Sequence, residues 1–386
     1  MENHMYKFKK CALILAVVIP LSLFAHARVN AEGFEWDVVE PNAVGLDRAP
    51  LDELVERISA HPEFNVHSVL VVKDDKLAFE AYFSGPDQDW GTDLGNVEFD
   101  LGTRHDLRSV SKSVTSALIG IALAEGKLPG INATVPELFP EYVDHIAPDK
   151  RSLTLKHMLT MSAGLSWFEP GDYTNPGNDE IRMSDSPDPV IFVLGRSFAT
   201  APGDRFQYNG GLPTLLGQLL EQAYGISGDA IARQSLLEPL GIDGFDFRAN
   251  SSGLLAYASG MRLTPRDMAR FGLLYLNEGR WEDKQLLPRK WVADSLTPHI
   301  ESDWTAGYGY QWWINRFEAP GTSMWVPSAV GNGGQRIFIL QPLNMVVVIT
   351  AGNYNMSNVP LTGIRMLEES IFPAAGMSDM KVQLVD

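Results

Sequence analysis

An α/β (α+β) fold, with one antiparallel sheet flanked by helices and a mainly helical lobe inserted between its halves, is what the 386-residue sequence predicts. Three observations carry this expectation. A hairpin pattern lies near the start, paired β-branched runs lie near the end, and helical periodicity fills the middle.

In chain order, residues from about Gly45 to Ser59 predict a helix, because Leu51, Leu54, Val55 and Ile58 recur at helical spacing. "HSVLVVKDDKLAFEAYFSG" predicts two strands around an Asp74-Asp75 turn. The segment after Ser109 is a helix that stops at Gly126. "LTLKHMLTMSAGL" (Leu153 to Leu165) and "LPTLLGQLLEQAYG" (Leu212 to Gly225) have helical periods and glycine near their ends. Between them lies a loop rich in Gly, Pro, Asp and Asn, from Trp167 to Pro189. "TPRDMARFGLLYLNEG" opens with Thr264 as cap and Pro265 in the first turn. "QRIFIL" and "NMVVVIT" are strands joined by a short Pro-containing turn, and a last helix covers roughly Val359 to Ser370. No internal repeat or low-complexity segment interrupts this order. The sheet lobe is therefore expected at about 35–105 plus 255–386, and the helical lobe at about 106–254.

The first residues predict a secretory signal. Lys7, Lys9 and Lys10 precede an apolar run from Cys11 to Phe24, which ends in Ala25-His26-Ala27. Residues 1–27 are the expected leader and 28–386 a single domain, with a second possible cut after Ala31. The apolar run is short for a membrane span and is broken by Pro20, which opposes an uncleaved anchor. The destination is then the periplasm or the medium. The only cysteine leaves with the leader, so the mature chain has neither disulfide nor thiol chemistry. Losing three Lys and one Glu leaves 28 basic and 47 acidic residues, a net charge of −19. Such a surface argues against nucleic acid as a partner.

"RSVSKSVTSALIGIAL" places polar residues at the front of an otherwise apolar helix. Ser109 and Lys112, three residues apart, share one helical face. An alcohol becomes a useful nucleophile when a nearby base takes its proton, and a buried amine is such a base. The free N–H groups of a helix start favour an oxyanion on the substrate. Spacing alone leaves a plainer reading open, with Ser109 as a cap and Lys112 on the surface. Ser378 and Lys381 repeat the pattern in the tail. Only the Ser109 copy has an apolar helix behind it, through Val110, Val114, Leu118, Ile119, Ile121 and Leu123.

"LRSVSKSVTSALIGIAL" resembles the active-site helix of the penicillin-recognising serine hydrolases, closest to their class C β-lactamase-like branch. That branch also contains esterases, D-amino-acid peptidases and nylon-oligomer (6-aminohexanoate-dimer) hydrolases. "LTLKHMLTMSAGL", "PGDRFQYNGG", "LTPRDMARFGLLYLNEGRW", "GYGYQWW" and "GNGGQRIFIL" are similar to further family blocks in the family's order, from about Val44 to Phe372. The resemblance implies a β-lactamase/transpeptidase-like fold and an acyl-enzyme on Ser109. It implies that Tyr208 shares proton transfer with Lys112. The family's Tyr-x-Asn is altered to Tyr208-Asn209-Gly210, so its Asn is absent unless Asn209 turns inward. A literal Tyr-x-Asn at Tyr173-Thr174-Asn175 lies in the polar loop without the flanking block, leaving Tyr173 at most a loop contact to substrate.

The family's Lys-Thr-Gly or His-x-Gly is matched by Asn332-Gly333-Gly334, without the cation. Glycines let a strand edge approach a substrate closely. The backbone N–H of Gln335 is a candidate partner to that of Ser109 in an oxyanion hole. Losing the cation and the Asn weakens the case for β-lactam turnover, and the acidic deacylation residue of class A enzymes has no counterpart in its usual setting. Other chemistries fare worse. There is no Gly-x-Ser-x-Gly, no phosphate loop, and the eight histidines show no His-Glu-x-x-His and no ligand cluster. His105, near Ser109, reads as a loop or core residue. Trp304, Trp312, Trp313 and Trp325 read mostly as core, with one or two lining the cleft. The expectation is a serine hydrolase with no cofactor and no metal, acting on a small ester, amide or peptide-like substrate. A β-lactamase or D,D-peptidase acting on cell-wall material, and a non-catalytic penicillin-binding-like sensor, are the alternatives. Oligomeric state is left open.

Overall fold

A computed structural model describes residues 34–144, 146–250 and 253–383. The expected leader and both of its cleavage positions lie outside the described residues.

The early helix forms as α1 (Ala49–Ala60), burying Leu51, Leu54 and Ile58. The hairpin forms as β1 (Val66–Lys73) and β2 (Lys76–Tyr82). Asp74 and Asp75 both take positive φ, +53° and +62°, which two-residue hairpin turns require. Six further strands complete the sheet. They are β3 (Gly307–Tyr308), β4 (Trp313–Ala319), β5 (Thr322–Gly331), β6 (Gln335–Leu340), β7 (Met345–Ala351) and β8 (Lys381–Val382). Their order is β3-β4-β5-β6-β7-β1-β2, with β8 beside β4, and every pairing is antiparallel.

Strand alternation sorts the apolar side chains between two cores. Val69, Val71, Val347 and Ile349 face α1 and the C-terminal helical segment. Leu70, Val72, Val346 and Val348 face the other way. There they meet α2 (Ser111–Ala124), α3 (Gly211–Tyr224) and α4 (Pro265–Leu276). Each fully buried Val, Leu or Ile contributes about 1.5–3 kcal/mol. Thr264 caps α4 by accepting from Asp267 N, as the sequence predicts. Gly225, at φ +68°, ends α3.

Three elements differ from expectation. The helix expected from Leu153 to Leu165 is only Leu155–Leu159, because Met161 (φ +54°) and Gly164 (φ +70°) turn the backbone out of the helix. The last helix begins at Gly363, capped by Thr362, and runs through a wider turn to Ala374; Val359 and Leu361 instead line the cleft described below. The polar loop from Trp167 contains a helical turn, Asp179–Ser184, whose first N–H groups Asn178 caps. Among the described residues, no helix is long and apolar enough to cross a membrane.

Candidate active site

Ser109 does not stand in α2 itself. It lies in a 3-10 turn, Arg108–Val110, that runs straight into α2. Arg108 adopts φ +48°, a strained conformation for a residue with a side chain. Its guanidinium is held by Asp106 at 3.0 Å and stacks 4.8 Å from the Tyr354 ring centroid. The chain thus bends sharply just before the hydroxyl.

The hydroxyls at the front of α2 serve its seating. Ser111 Oγ accepts from Met261 N (3.2 Å), Ser113 Oγ donates to Gln311 O (2.7 Å), and Thr115 Oγ1 donates to Tyr257 O (3.0 Å). Lys112 is drawn in with them and is 1% exposed. Its Nζ donates to Ser109 Oγ and to Ala258 O, each at 3.0 Å. The surface reading of Lys112 is therefore excluded.

Tyr208 joins this pair from just before α3. The Lys112 Nζ lies 5.0 Å from its ring centroid, and its phenol hydrogen-bonds with Ser109. The ring stacks on Trp313 at 5.5 Å and meets Trp304 at 5.9 Å. Burial first, then the Glu169 charge, raise the phenol well above its ordinary range. Tyr208 is thus a proton donor at neutral pH.

Two carboxyls that sequence reasoning missed complete the centre. Glu169 accepts from Trp167 Nε1, Gly210 N and Tyr173 Oη, each at 2.7 Å. It ties the polar loop to the start of α3, where a carboxylate complements the helix dipole. Glu180 is buried and interacts with Lys112, Glu169 and Ser259. Burial and the Glu169 charge push its carboxyl up to about 8. No local motif marks either residue, since both reach Ser109 through a loop ordered by Asn178 and Asp179.

The remaining expected residues divide. Asn332, Gly333 and Gly334 line one cleft with Ser109, Tyr208 and Tyr173. Gly331 lets β5 approach the nucleophile, since a Cβ there would lie 2.3 Å from Leu107 O. The Asn332 amide is engaged by Asn355, donating to its Oδ1 and accepting from its N. Gln335 is fully buried and, unlike its neighbours, does not line the cleft; its side chain donates to Asn332 O and accepts from Ala351 N. Asn209 is a correction. Its Oδ1 accepts from Gly211 N at 2.8 Å, capping α3, and it does not line the cleft. The short span between Tyr208 and the helix start commits its side chain to the cap. Tyr173 does line the cleft, its hydroxyl given to Glu169.

The cleft, about 710 Å³, continues from Ser109 along Val330, Met356, Val359, Leu361 and Met366, so much of its wall is apolar. Arg336 also lines it. Its Nη1 donates to Gly331 O and Gln335 O, and burial pushes the guanidinium down to about 10. Trp313 and the exposed Trp304 line the cleft, whereas Trp312 is core; Trp325 is exposed on β5. His105 is fully buried, as a core residue is. The absence of a ligand cluster among the histidines needs correction, because folding gathers His67, Asp87 and His105 within 4.8 Å.

A serine hydroxyl on a tight turn packed on β5 and β6, with a buried amine and a phenol beside it, is the arrangement expected of a serine hydrolase of the β-lactamase/transpeptidase type. Residues 51–380 match the family model described as Beta-lactamase, and the chain belongs to that family. A candidate 6-aminohexanoate-dimer hydrolase from Bacillus anthracis superposes with a TM-score of 0.64 at 22% identity, covering 84% of this chain and 83% of that one. EstCE1, described as a hydrolase with promiscuous acyltransferase activity, gives 0.65 at 15% identity, covering 87% and 99%. The octameric penicillin-binding protein homologue from Pyrococcus abyssi gives 0.62 at 18%, covering 86% and 77%. At these identities the likeness is one of fold. Protein flp of Staphylococcus aureus (strain MRSA252) is 22% identical over 202 residues, 52% of this chain; the alignment spans only 38% of that relative.

Proposed function

We propose that the chain is an exported serine hydrolase that cleaves a small ester or amide through an acyl-enzyme on Ser109. The observation that carries this reading is the Lys112 amine, buried and 3.0 Å from the Ser109 hydroxyl with the Tyr208 phenol beside it. Lys112 takes the Ser109 proton as Oγ attacks the carbonyl carbon. Tyr208 gives its proton to the leaving oxygen or nitrogen and regains one from Lys112. Water then attacks the acyl carbonyl, the same pair moves its proton, and Ser109 is released. The Ser109 N–H, at the start of its turn, has no acceptor within the helix and is the donor for the developing oxyanion. Glu180, able to hold a proton near neutral pH, is a proton store beside Lys112. Export rests on the lysine-led apolar leader.

The apolar wall favours an acyl or leaving group with an aliphatic body over a compact β-lactam. Arg336 favours a second reading, in which the substrate also carries a carboxylate, as linear amide acids and D-amino-acid peptides do. The purified chain is expected to hydrolyse p-nitrophenyl butyrate at least about 100-fold faster than nitrocefin, in kcat/KM. Faster nitrocefin turnover reverses this substrate order, and turnover of neither supports the non-catalytic sensor. Arg336→Gln is expected to raise KM for carboxylate-bearing amides while leaving that for the neutral ester unchanged.

Glu180→Gln tests the stored proton. The Glu180 carboxyl holds its proton up to about 8 when folded, against 4.5 ordinarily. Between those values the native state binds the extra proton, so this group lowers stability as pH rises. Glu180→Gln is therefore expected to raise Tm, by little near pH 4.5 and most near pH 8. Ester turnover at pH 7 should fall about 10- to 100-fold. A Tm difference that stays constant from pH 5 to pH 8 would refute the assignment.

A further inference from the structure

Away from the cleft, a buried group of imidazoles and a carboxylate has no part in the hydrolytic chemistry. His67 on β1, Asp87 in the strand Gly85–Asp89 and His105 in the strand His105–Asp106 are each at most 5% exposed. Their ligand-type atoms lie within 4.8 Å of one another.

The hydrogen bonds behind the two rings decide their tautomers. His105 Nδ1 lies 3.0 Å from the Asp106 carbonyl oxygen, so it carries a proton and donates. Its Nε2 is then a lone pair. His67 Nε2 lies 3.0 Å from Asn65 Oδ1. The Asn65 amide is oriented by its Nδ2, which donates to Pro86 O, so Oδ1 can only accept. His67 Nε2 therefore donates, and its Nδ1 is also a lone pair. These two lone pairs face each other, with Nδ1 and Nε2 only 2.9 Å apart.

Two acceptors that close repel unless a positive centre lies between them. A single shared proton would leave an imidazolium in a fully buried place. A metal cation needs neutral imidazoles and gains from the nearby carboxylate. Asp87 Oδ1 is 3.6 Å from His105 Nε2 and accepts from Tyr354 Oη at 2.8 Å. Outer-side acceptors that fix each ring, with inner nitrogens converging beside an oriented carboxylate, are how proteins prepare histidines as metal ligands. The 2.9 Å His67–His105 and 3.6 Å His105–Asp87 separations lie near the roughly 3.3 Å edge of a tetrahedron with ligands about 2.0–2.1 Å from zinc, and the third pair lies within 4.8 Å.

We propose that His67 Nδ1, His105 Nε2 and Asp87 Oδ1 form a structural site for a divalent first-row transition cation, with zinc the best fit. The site joins three strands and, through Tyr354, the ring on which Arg108 stacks. It therefore braces the strained residue that precedes Ser109. It does not depend on the hydrolase reading and involves no reacting atom of it.

The test uses the chain purified without a histidine tag. Metal analysis, zinc titration of chelator-stripped protein and thermal melts are run on the wild type, Asp87→Asn, His105→Gln and His61→Ala. The last removes the exposed His61–Glu63 pair as a rival binder. The expected result is one equivalent of zinc, a Tm that falls on stripping and returns with zinc, and binding weakened at least 100-fold in the first two variants but unchanged in the third. Cobalt(II) added to stripped wild type should give the visible bands of a low-coordinate site with two nitrogen donors and one carboxylate oxygen from the protein, which reads the ligands even where a variant fails to fold. Less than 0.1 equivalent of bound metal with a Tm indifferent to zinc, no cobalt bands, or binding that survives Asp87→Asn and is lost in His61→Ala would each overturn the site.

Discussion

Ser109→Ala is expected to lower kcat/KM for p-nitrophenyl butyrate by about four orders of magnitude, to the level of residual binding and oxyanion stabilisation. The loss is large because no other hydroxyl takes its place. Ser111 and Ser113 spend their Oγ atoms on Met261 N and Gln311 O. The fold should be unchanged, since the half-buried Ser109 side chain contributes one hydrogen bond from Lys112 and one with Tyr208. Near-UV circular dichroism and Tm check the fold. A fluorophosphonate should add its mass to the peptide containing Ser109 in the wild type and to no peptide in the variant. Turnover within tenfold of wild type would end the acyl-enzyme mechanism.

Lys112→Met should lower the same kcat/KM by about three orders of magnitude while Tm holds or rises. Burying the Lys112 amine carries a desolvation cost, and methionine fills similar volume without it. Against this, Ala258 O and Ser109 Oγ each lose a donor, at about 1 kcal/mol apiece. The two effects nearly offset, so activity and stability part company. A variant that keeps its activity and loses several degrees of Tm would make Lys112 a structural residue. The outcome to expect is the reverse, because Nζ is directed at the hydroxyl that must lose its proton.

Much of the fold was legible where the signal was local. The β1–β2 hairpin followed from alternating apolar residues and a two-residue Asp turn, and α4 followed from a Thr cap, a Pro and a helical period. Legibility failed where a distant surface governed the backbone. The helix from Leu155 stops early because Met161 and Gly164 take left-handed conformations, and Gly164 is packed against the Thr200 carbonyl. The last helix starts late because Val359 and Leu361 serve as cleft wall.

The site divides in the same manner. The pairing of Ser109 with Lys112 was readable, because three residues on a helical turn place two side chains together whatever else the chain does. Asn209 was misjudged, because a cap bond two residues away outcompeted the cleft for its amide. Glu169 and Glu180 carried no signal, and neither did the meeting of His67, Asp87 and His105.

Local pattern thus sufficed for four of the eight strands of the main sheet, for the longer helices and for the nearness of Lys112 to Ser109, since turns, caps and periodicity act within a few residues. Folding alone placed Tyr208 on that hydroxyl, brought Glu180 beside the amine and Glu169 beside Tyr208, and set β1 next to β7, where Ser68 Oγ meets Thr350 Oγ1 at 2.7 Å. Those contacts join residues far apart in the chain. They depend on how whole faces pack, and no short stretch of sequence records that.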